Sequence, residues 1–386
     1  MTIVAAVLLL LLAAGAAVFC ALTVAASRRY LAARPPQLRT PVPISLLKPL
    51  SGLDDGLEEN LHSYFAQRYP DFEILLAVRQ ADDPAVAVVE KLRAEFPATP
   101  ARLIVTGEPP YPNAKVFALD CMLKEARHDL LVMTDSDTRA LSPQLLETLA
   151  AEFQDERLGV ATCPYRAVPG VSLWSGLEAV GMNTEFLAGI LVARLLESMK
   201  FGVGPAMAAR RAAIEQIGGF DGLKDYLAED FVMGKLAAEA GWRVALSSAV
   251  VEHRIGSQRF WPNLEHRLRW VRSTRRSRPA GYIGQLFTYP LPLALLLLLV
   301  HPAWWSAAAA VVLLRALAAW AVAGWVLHDS LTAREWWLVP LQDLASFLIW
   351  IAGFFGRTVT WRGRRYIVFP DGKFAPVPTD SAPRDR

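Results

Sequence analysis

Apolar residues gather at the two ends of this chain, while the middle alternates short apolar runs with longer amphipathic ones. Ile3 to Ala26 carries no charge and is long enough to cross a bilayer as a helix. No basic residue precedes it, whereas Arg28, Arg29 and Arg34 follow closely. That asymmetry fits a retained anchor better than a cleaved signal, despite the Ala25-Ala26-Ser27 run, and sets its C-terminal side in the cytoplasm. Pro35, Pro36, Pro41 and Pro43 then make a stiff linker leading away from the membrane.

From Ile44 the period changes. Apolar runs at 44–50, 72–78, 102–105, 130–133 and 159–164 read as strands, and helical spacing occupies 57–69, 85–96, 114–126 and 145–153. This alternation implies βαβ units and a parallel sheet whose right-handed crossovers bring the carboxyl ends to one rim. Asp82 and Asp83 fall on that rim, as do Asp135 and Asp137. Ligands bind beyond such strand ends. A carboxylate pair there can hold a divalent metal that neutralises nucleotide phosphates. Asp135-Ser136-Asp137 is also ordinary turn chemistry; a second acidic group on the same rim favours the nucleotide-metal reading.

Beyond Pro164 the pattern loosens. Residues 173–196 are helical and mostly apolar but carry Glu178, Glu185 and Arg194, which suits either an interfacial helix or a plain domain helix. Gly202 and Gly204 let backbone approach a ligand. A helix follows from about Tyr226, with Glu229 and Asp230 in its first turn, where the macrodipole favours carboxylates. Residues 261–278 hold Arg267, Arg269, Arg272, Arg275, Arg276 and Arg278 with Trp261 and Trp270. Leading into apolar 286–300, they read as a headgroup-level helix. Segments 286–300 and 307–327 form a membrane hairpin turned at 301–305, and 336–355 is a third apolar stretch broken by Pro340, Gln342 and Asp343. Three spans would leave Arg357, Arg362, Arg364 and Arg365 outside, against the positive-inside rule. Either 336–355 is re-entrant or interfacial, which is favoured, or the tail breaks the rule. Disorder is expected from Pro376.

Bulk properties alter this picture little. The 386 residues allow one large or two moderate domains, and a net charge of +3 gives no reason to expect a nucleic-acid partner. Cys20, Cys121 and Cys163 show neither metal spacing nor a disulfide framework.

Five short motifs occur in order: Ser45-Leu46-Leu47-Lys48-Pro49-Leu50-Ser51-Gly52-Leu53-Asp54, Ala81-Asp82-Asp83-Pro84-Ala85, Asp135-Ser136-Asp137, Ala228-Glu229-Asp230-Phe231, and Arg269-Trp270. Together they resemble the ceramide glucosyltransferase family (glycosyltransferase family 21) and its bacterial relatives, including hopanoid-associated glycosyltransferases. The resemblance implies an α/β, Rossmann-like GT-A domain with an N-terminal anchor and C-terminal membrane helices. The expected divisions are an anchor at 1–27, a linker at 28–43, a cytoplasmic catalytic domain at 44–260, a basic interfacial helix at 261–283, membrane segments at 284–356 and a cytoplasmic or disordered tail at 357–386.

By that family's pattern, Asp82 or Asp83 contacts the nucleotide, with Asp83 favoured. Asp135 and Asp137 hold Mg²⁺ or Mn²⁺, Asp135 also meeting the donor, and Asp230 is the catalytic base. Lys115 of Pro112-Asn113-Ala114-Lys115, Glu229, Arg269 and Trp270 are the further substrate-binding candidates. The (Q/R)xxRW box reads His266-Arg267-Leu268-Arg269-Trp270 here, so His266 replaces its leading residue. The implied reaction is inverting transfer of a hexose from a UDP-sugar to the hydroxyl of a membrane lipid at the bilayer. Glucose onto ceramide is the first choice, and N-acetylglucosamine onto a bacteriohopanoid is the rival. A processive polysaccharide synthase would need more spans, and a silent nucleotide- or lipid-binding scaffold would not need the full set of carboxylates. The sequence leaves oligomeric state open.

Overall fold

The computed structural model describes residues 2–33 and 36–378. In chain order the strands are β1 (Ile44–Pro49), β2 (Phe72–Val78), β3 (Ala101–Val105), β4 (Leu130–Thr134) and β5 (Thr138–Ala140). Next come β6 (Leu158–Thr162), β7 (Tyr165–Pro169), β8 (Ala206–Arg210), β9 (Arg243–Leu246) and β10 (Val251–Gly256). The last three are β11 (Thr358–Trp361), β12 (Arg364–Val368) and β13 (Phe374–Pro376).

β2 and β4 are buried at every position, as unbroken apolar runs demand when both faces of a sheet are covered. The main sheet has seven strands in the order β3-β2-β1-β4-β8-β6-β9. Helices Leu57–Phe65, Ala85–Glu95 and Ala114–Glu125 connect its first four strands, all parallel. The expected wholly parallel sheet fails at β8, which runs antiparallel to both β4 and β6. Its sequence, Ala-Met-Ala-Ala-Arg, has no alternation to announce a strand. The consequence is useful: Ala206 pairs with Thr134, so the loop Phe201–Pro205 arrives at the rim where β4 ends. A small sheet, β5-β10-β7, stands beside that rim.

The anchor helix runs Thr2–Ala32 and packs along helix Leu187–Glu197. The Tyr30 hydroxyl donates to the Ser247 carbonyl at 2.7 Å. The proline-bearing segment does not stand off from the domain. Val42 exchanges two hydrogen bonds with the Tyr69 hydroxyl, at 3.0 and 2.7 Å, and Gln154 bonds the backbone of Gln37 and Arg39.

Among the described residues, three helices are long and apolar enough to cross a membrane: Ile3–Ala32, Leu173–Glu197 and Pro302–Val326. The second is interrupted by a π turn at Met182–Phe186. The apolar segment expected at 286–300 falls across a pair of helices, Pro279–Thr288 and Pro290–Val300, bent by 63°. Pro290 and Pro292 account for the break, since neither can donate a backbone hydrogen bond. Helix Leu338–Gly353 has 16 residues, about 24 Å at the helical rise. That is short of a ~30 Å hydrocarbon core and suits the re-entrant or interfacial alternative. Arg315 pairs with Asp343 at 2.7 and 2.8 Å and reaches Thr184 at 3.1 Å, joining three of these helices through one buried cluster.

The residues after Arg357 are not a loose tail. β11, β12 and β13 form an antiparallel sheet whose Val359, Tyr366, Val368 and Phe374 pack on Leu227. Phe374 N donates to Asp225 O at 2.8 Å. The sheet therefore packs directly on the domain that carries the main sheet. The disorder expected from Pro376 falls mainly on 379–386, outside the described residues.

Candidate active site

Each carboxylate owes its place to local chain chemistry. β4 ends at Thr134, and Asp135 N donates to Pro205 O at 2.9 Å. Lys48, fully buried at the end of β1, donates to Asp135 O at 2.6 Å, Thr134 Oγ1 at 3.1 Å and Thr138 Oγ1 at 3.3 Å. Burial pushes this ammonium down to about 7, although Asp135, Asp137 and Asp54 favour its charge. Lys48 thus fixes the backbone of the Asp-Ser-Asp turn. Ser136 is held through its hydroxyl by Asp54 and through its carbonyl by Asn60 Nδ2 at 3.1 Å.

Asn113 caps helix Ala114–Glu125 by accepting from Val116 N at 3.2 Å, and its amide donates to Tyr226 O at 2.9 Å. This places Lys115 between two acids, with Nζ at 2.7 Å from Asp135 Oδ1 and 2.9 Å from Glu229 Oε1. Burial works against its charge, but Asp135, Glu229 and Asp230 outweigh it and hold the ammonium protonated. Helix Glu229–Glu239 begins here, so Glu229 and Asp230 do sit in a first turn. Their carboxylates do more than favour the dipole. Asp230 Oδ2 accepts from Gly204 N at 2.5 Å and Oδ1 from Phe231 N at 2.7 Å. The glycine loop needs its missing side chains: a Cβ on Gly202 would meet Asp230 O at 2.3 Å. Burial, then the neighbouring Glu229, raise the Asp230 carboxyl to about 6.

The substrate, metal and base candidates Asp82, Asp83, Lys115, Asp135, Asp137, Glu229, Asp230, His266, Arg269 and Trp270 all line one cavity of about 1620 Å³. Asp83 lends its carboxylate to Gly52 N at 3.0 and 3.1 Å and to Ala85 N at 2.9 Å, so it braces two loops. Asp82 is exposed beside it, with its carboxylate uncommitted among the described residues. His266 Nδ1 meets Glu178 Oε1 at 2.8 Å, and its ring lies 4.8 Å from Trp270. Arg269 faces the cavity without an ion pair or hydrogen bond among the described residues. Burial works against its charge, while Glu229, Glu178 and Asp230 support it.

Two residues on the wall escaped the sequence reading. His253 of β10 places Nε2 3.2 Å from Asp137 Oδ2. Burial opposes its protonation, but Asp137 beside it raises its pKa on balance. The alternation Val251, His253, Ile255 was the available signal, since all three turn inward. Arg362 lies in the hairpin turn between β11 and β12. Its φ of 47° and the 75° of Gly363 give the two consecutive left-handed residues of a tight hairpin. Arg362 reaches the cavity mouth, also unpaired among the described residues.

Asp137 Oδ1 and His253 Nδ1 are buried without hydrogen-bond partners. Oxygen and imidazole donors beside Asp135 fit Mg²⁺ or Mn²⁺. Among the described residues no three His, Cys, Asp or Glu side chains form a ready cage. That is the usual condition for an ion completed by substrate phosphates.

A mixed α/β sheet with Asp135, Asp137 and Asp230 around one rim cavity is the frame of a GT-A nucleotide-sugar glycosyltransferase. The chain belongs to Glycosyl transferase family 21, which it matches over residues 7–374. It is 23% identical over 347 residues to ceramide glucosyltransferase 3 of Caenorhabditis elegans, covering 86% of this chain and 74% of that one. Ceramide glucosyltransferase 1 of the same organism is 27% identical over 206 residues, covering 53% of this chain and 44% of that one. Among solved structures, a mannosyltransferase from Pyrobaculum calidifontis in complex with GDP-Man and Mn²⁺ shares the fold. Its TM-score is 0.55 at 18% identity, covering 91% of this chain and 99% of that one.

Proposed function

We propose that this protein transfers glucose from UDP-glucose to the primary hydroxyl of ceramide, with inversion, at the cytoplasmic face of a membrane it crosses several times. The names of its relatives support the sugar and the lipid. The observation that carries the reading is Asp230, held by two backbone amides on the wall of a cavity that Asp135 and Asp137 share with apolar helices. The arginines after the anchor and the terminal sheet beside the catalytic domain support the orientation.

The Asp230 carboxylate takes the proton of the acceptor hydroxyl as that oxygen attacks the anomeric carbon, and the bond to the diphosphate breaks on the opposite face. Asp135 and Asp137, with His253 beside them, would hold a divalent ion that neutralises charge on the departing diphosphate. Arg269 and Arg362, both unpaired among the described residues, are cations placed to meet the same phosphates. Lys115 keeps Asp135 and Glu229 in register, and Asp82 serves the nucleoside.

Purified protein in nanodiscs, given UDP-glucose, Mn²⁺ and ceramide, should yield glucosylceramide and UDP in equal amounts. UDP-N-acetylglucosamine as the only productive donor would overturn the assignment. Because Asp230 must be ionised, and its pKa lies near 6, log kcat/KM should fall by one per pH unit below that value and level off above it. A profile flat down to pH 5 would remove Asp230 as the base.

A further inference from the structure

The cavity continues beyond the carboxylates between two helix faces. On the basic helix Phe260–Ser277, Arg269, Ser273 and Ser277 recur every four residues and so share a face, and Gln285 extends the lining past the helix end. The side-chain oxygens of Ser273, Ser277 and Gln285 are all buried without a hydrogen-bond partner. Buried polar atoms are normally paired, so three unpaired ones on one cavity lining call for a ligand that pairs them.

The other face is mainly apolar, with Glu185 and Glu197 also on the lining. The π turn and helix Leu187–Glu197 present Phe186, Ile190, Ala193 and Leu196 at helical spacing. The two faces are joined by the Arg278–Glu197 ion pair at 3.0 Å and by the Phe186 and Trp270 rings, 6.1 Å apart. Gly189 on one face and Gly284 on the other have no atom within 4 Å of where a Cβ would project. A groove with one hydrogen-bonding edge and one hydrocarbon edge leads to Asp230.

The geometry points to this groove as the acceptor site, for a chain amphiphile that carries amide or further hydroxyl groups beside the hydroxyl it presents. The head pairs with Ser273, Ser277 and Gln285 after a side-chain rotation, and the hydrocarbon lies along Phe186 to Leu196. The glycines set the width of the channel. A plain fatty alcohol would leave the three oxygens unsatisfied. This inference rests on the transfer reading above and adds which lipid feature is recognised and by which residues.

A ceramide with a photoactivatable diazirine in its acyl chain, applied to the full chain in nanodiscs without donor, should label peptides within 186–197 and 279–288. Labelling confined to other segments overturns the groove, whether or not sugar is transferred. In transfer assays, the combined Ser273→Ala, Ser277→Ala, Gln285→Ala variant should raise the KM for ceramide about tenfold, a loss typical of one or two hydrogen bonds. The KM for UDP-glucose and the rate with a long-chain alcohol should stay put. Gly189→Leu and Gly284→Leu project into open space, so both should fold and bind UDP. They should lose long-chain ceramide while retaining a short-chain analogue. Unchanged ceramide KM in every variant overturns the groove and leaves the transfer reading intact. Failure of the unaltered protein to glucosylate ceramide removes the transfer reading, with the photolabel still deciding the groove.

Discussion

Asp230→Asn should lower kcat for sugar transfer by about 10²–10⁴-fold, the usual contribution of a positioned general base. The substitution removes the proton acceptor but leaves an oxygen for one of the two amide bonds, from Gly204 or Phe231. The KM for UDP-glucose and the dissociation constant of UDP should therefore move little. A thermal melt run alongside separates lost chemistry from lost fold. Transfer at even a third of the normal rate by the folded variant would show that the proton goes elsewhere.

The second large effect concerns Asp137. Its Oδ1 is buried and unpaired, and its Oδ2 faces His253. Asp137→Ala should cost about 10³-fold in transfer, as several kcal/mol of charge stabilisation are lost at 1.36 kcal/mol per decade. EDTA should inactivate the unaltered protein to a similar level and Mn²⁺ should restore it, while the variant should be insensitive to both. Titration of Mn²⁺ in the presence of UDP gives an independent reading, with binding lost in Asp137→Ala. A variant that still loses most of its activity to EDTA would place the ion away from Asp137.

The first half of the domain was legible because parallel strands covered on both faces must be continuously apolar. β2 matches its predicted limits at Phe72 and Val78, and β1, β3 and β4 agree to within a residue or two. β8 was not legible, since its alanines carry no periodicity and its direction depends on the loop Phe201–Pro205 crossing the rim. The terminal sheet hid among arginines. β12 begins Arg364-Arg365, and only its packing on Leu227 makes a strand of it. At the site, the acidic motifs were readable because several carboxylates in fixed order are a costly pattern without a cation to meet. Asp83 is committed to Gly52 and Ala85 while Asp82 stays exposed, a choice made by backbone amides that no motif records. His253 and Arg362 depend on β10 and on a hairpin arriving from far along the chain.

The anchor is fastened to the catalytic domain rather than tethering it. With Tyr30 bonded to Ser247, and Gln37 to Val42 laid against the domain, the site cannot swing on a leash. Its height above the lipid surface is fixed once, when the protein inserts. If the acceptor is the lipid proposed above, products should therefore part by direction, the nucleotide leaving upward into water and the glycolipid sliding sideways without ever quitting the leaflet. Trimming the first helix to gain a soluble enzyme would strip away one side of the machine and bare the flank of Leu187–Glu197.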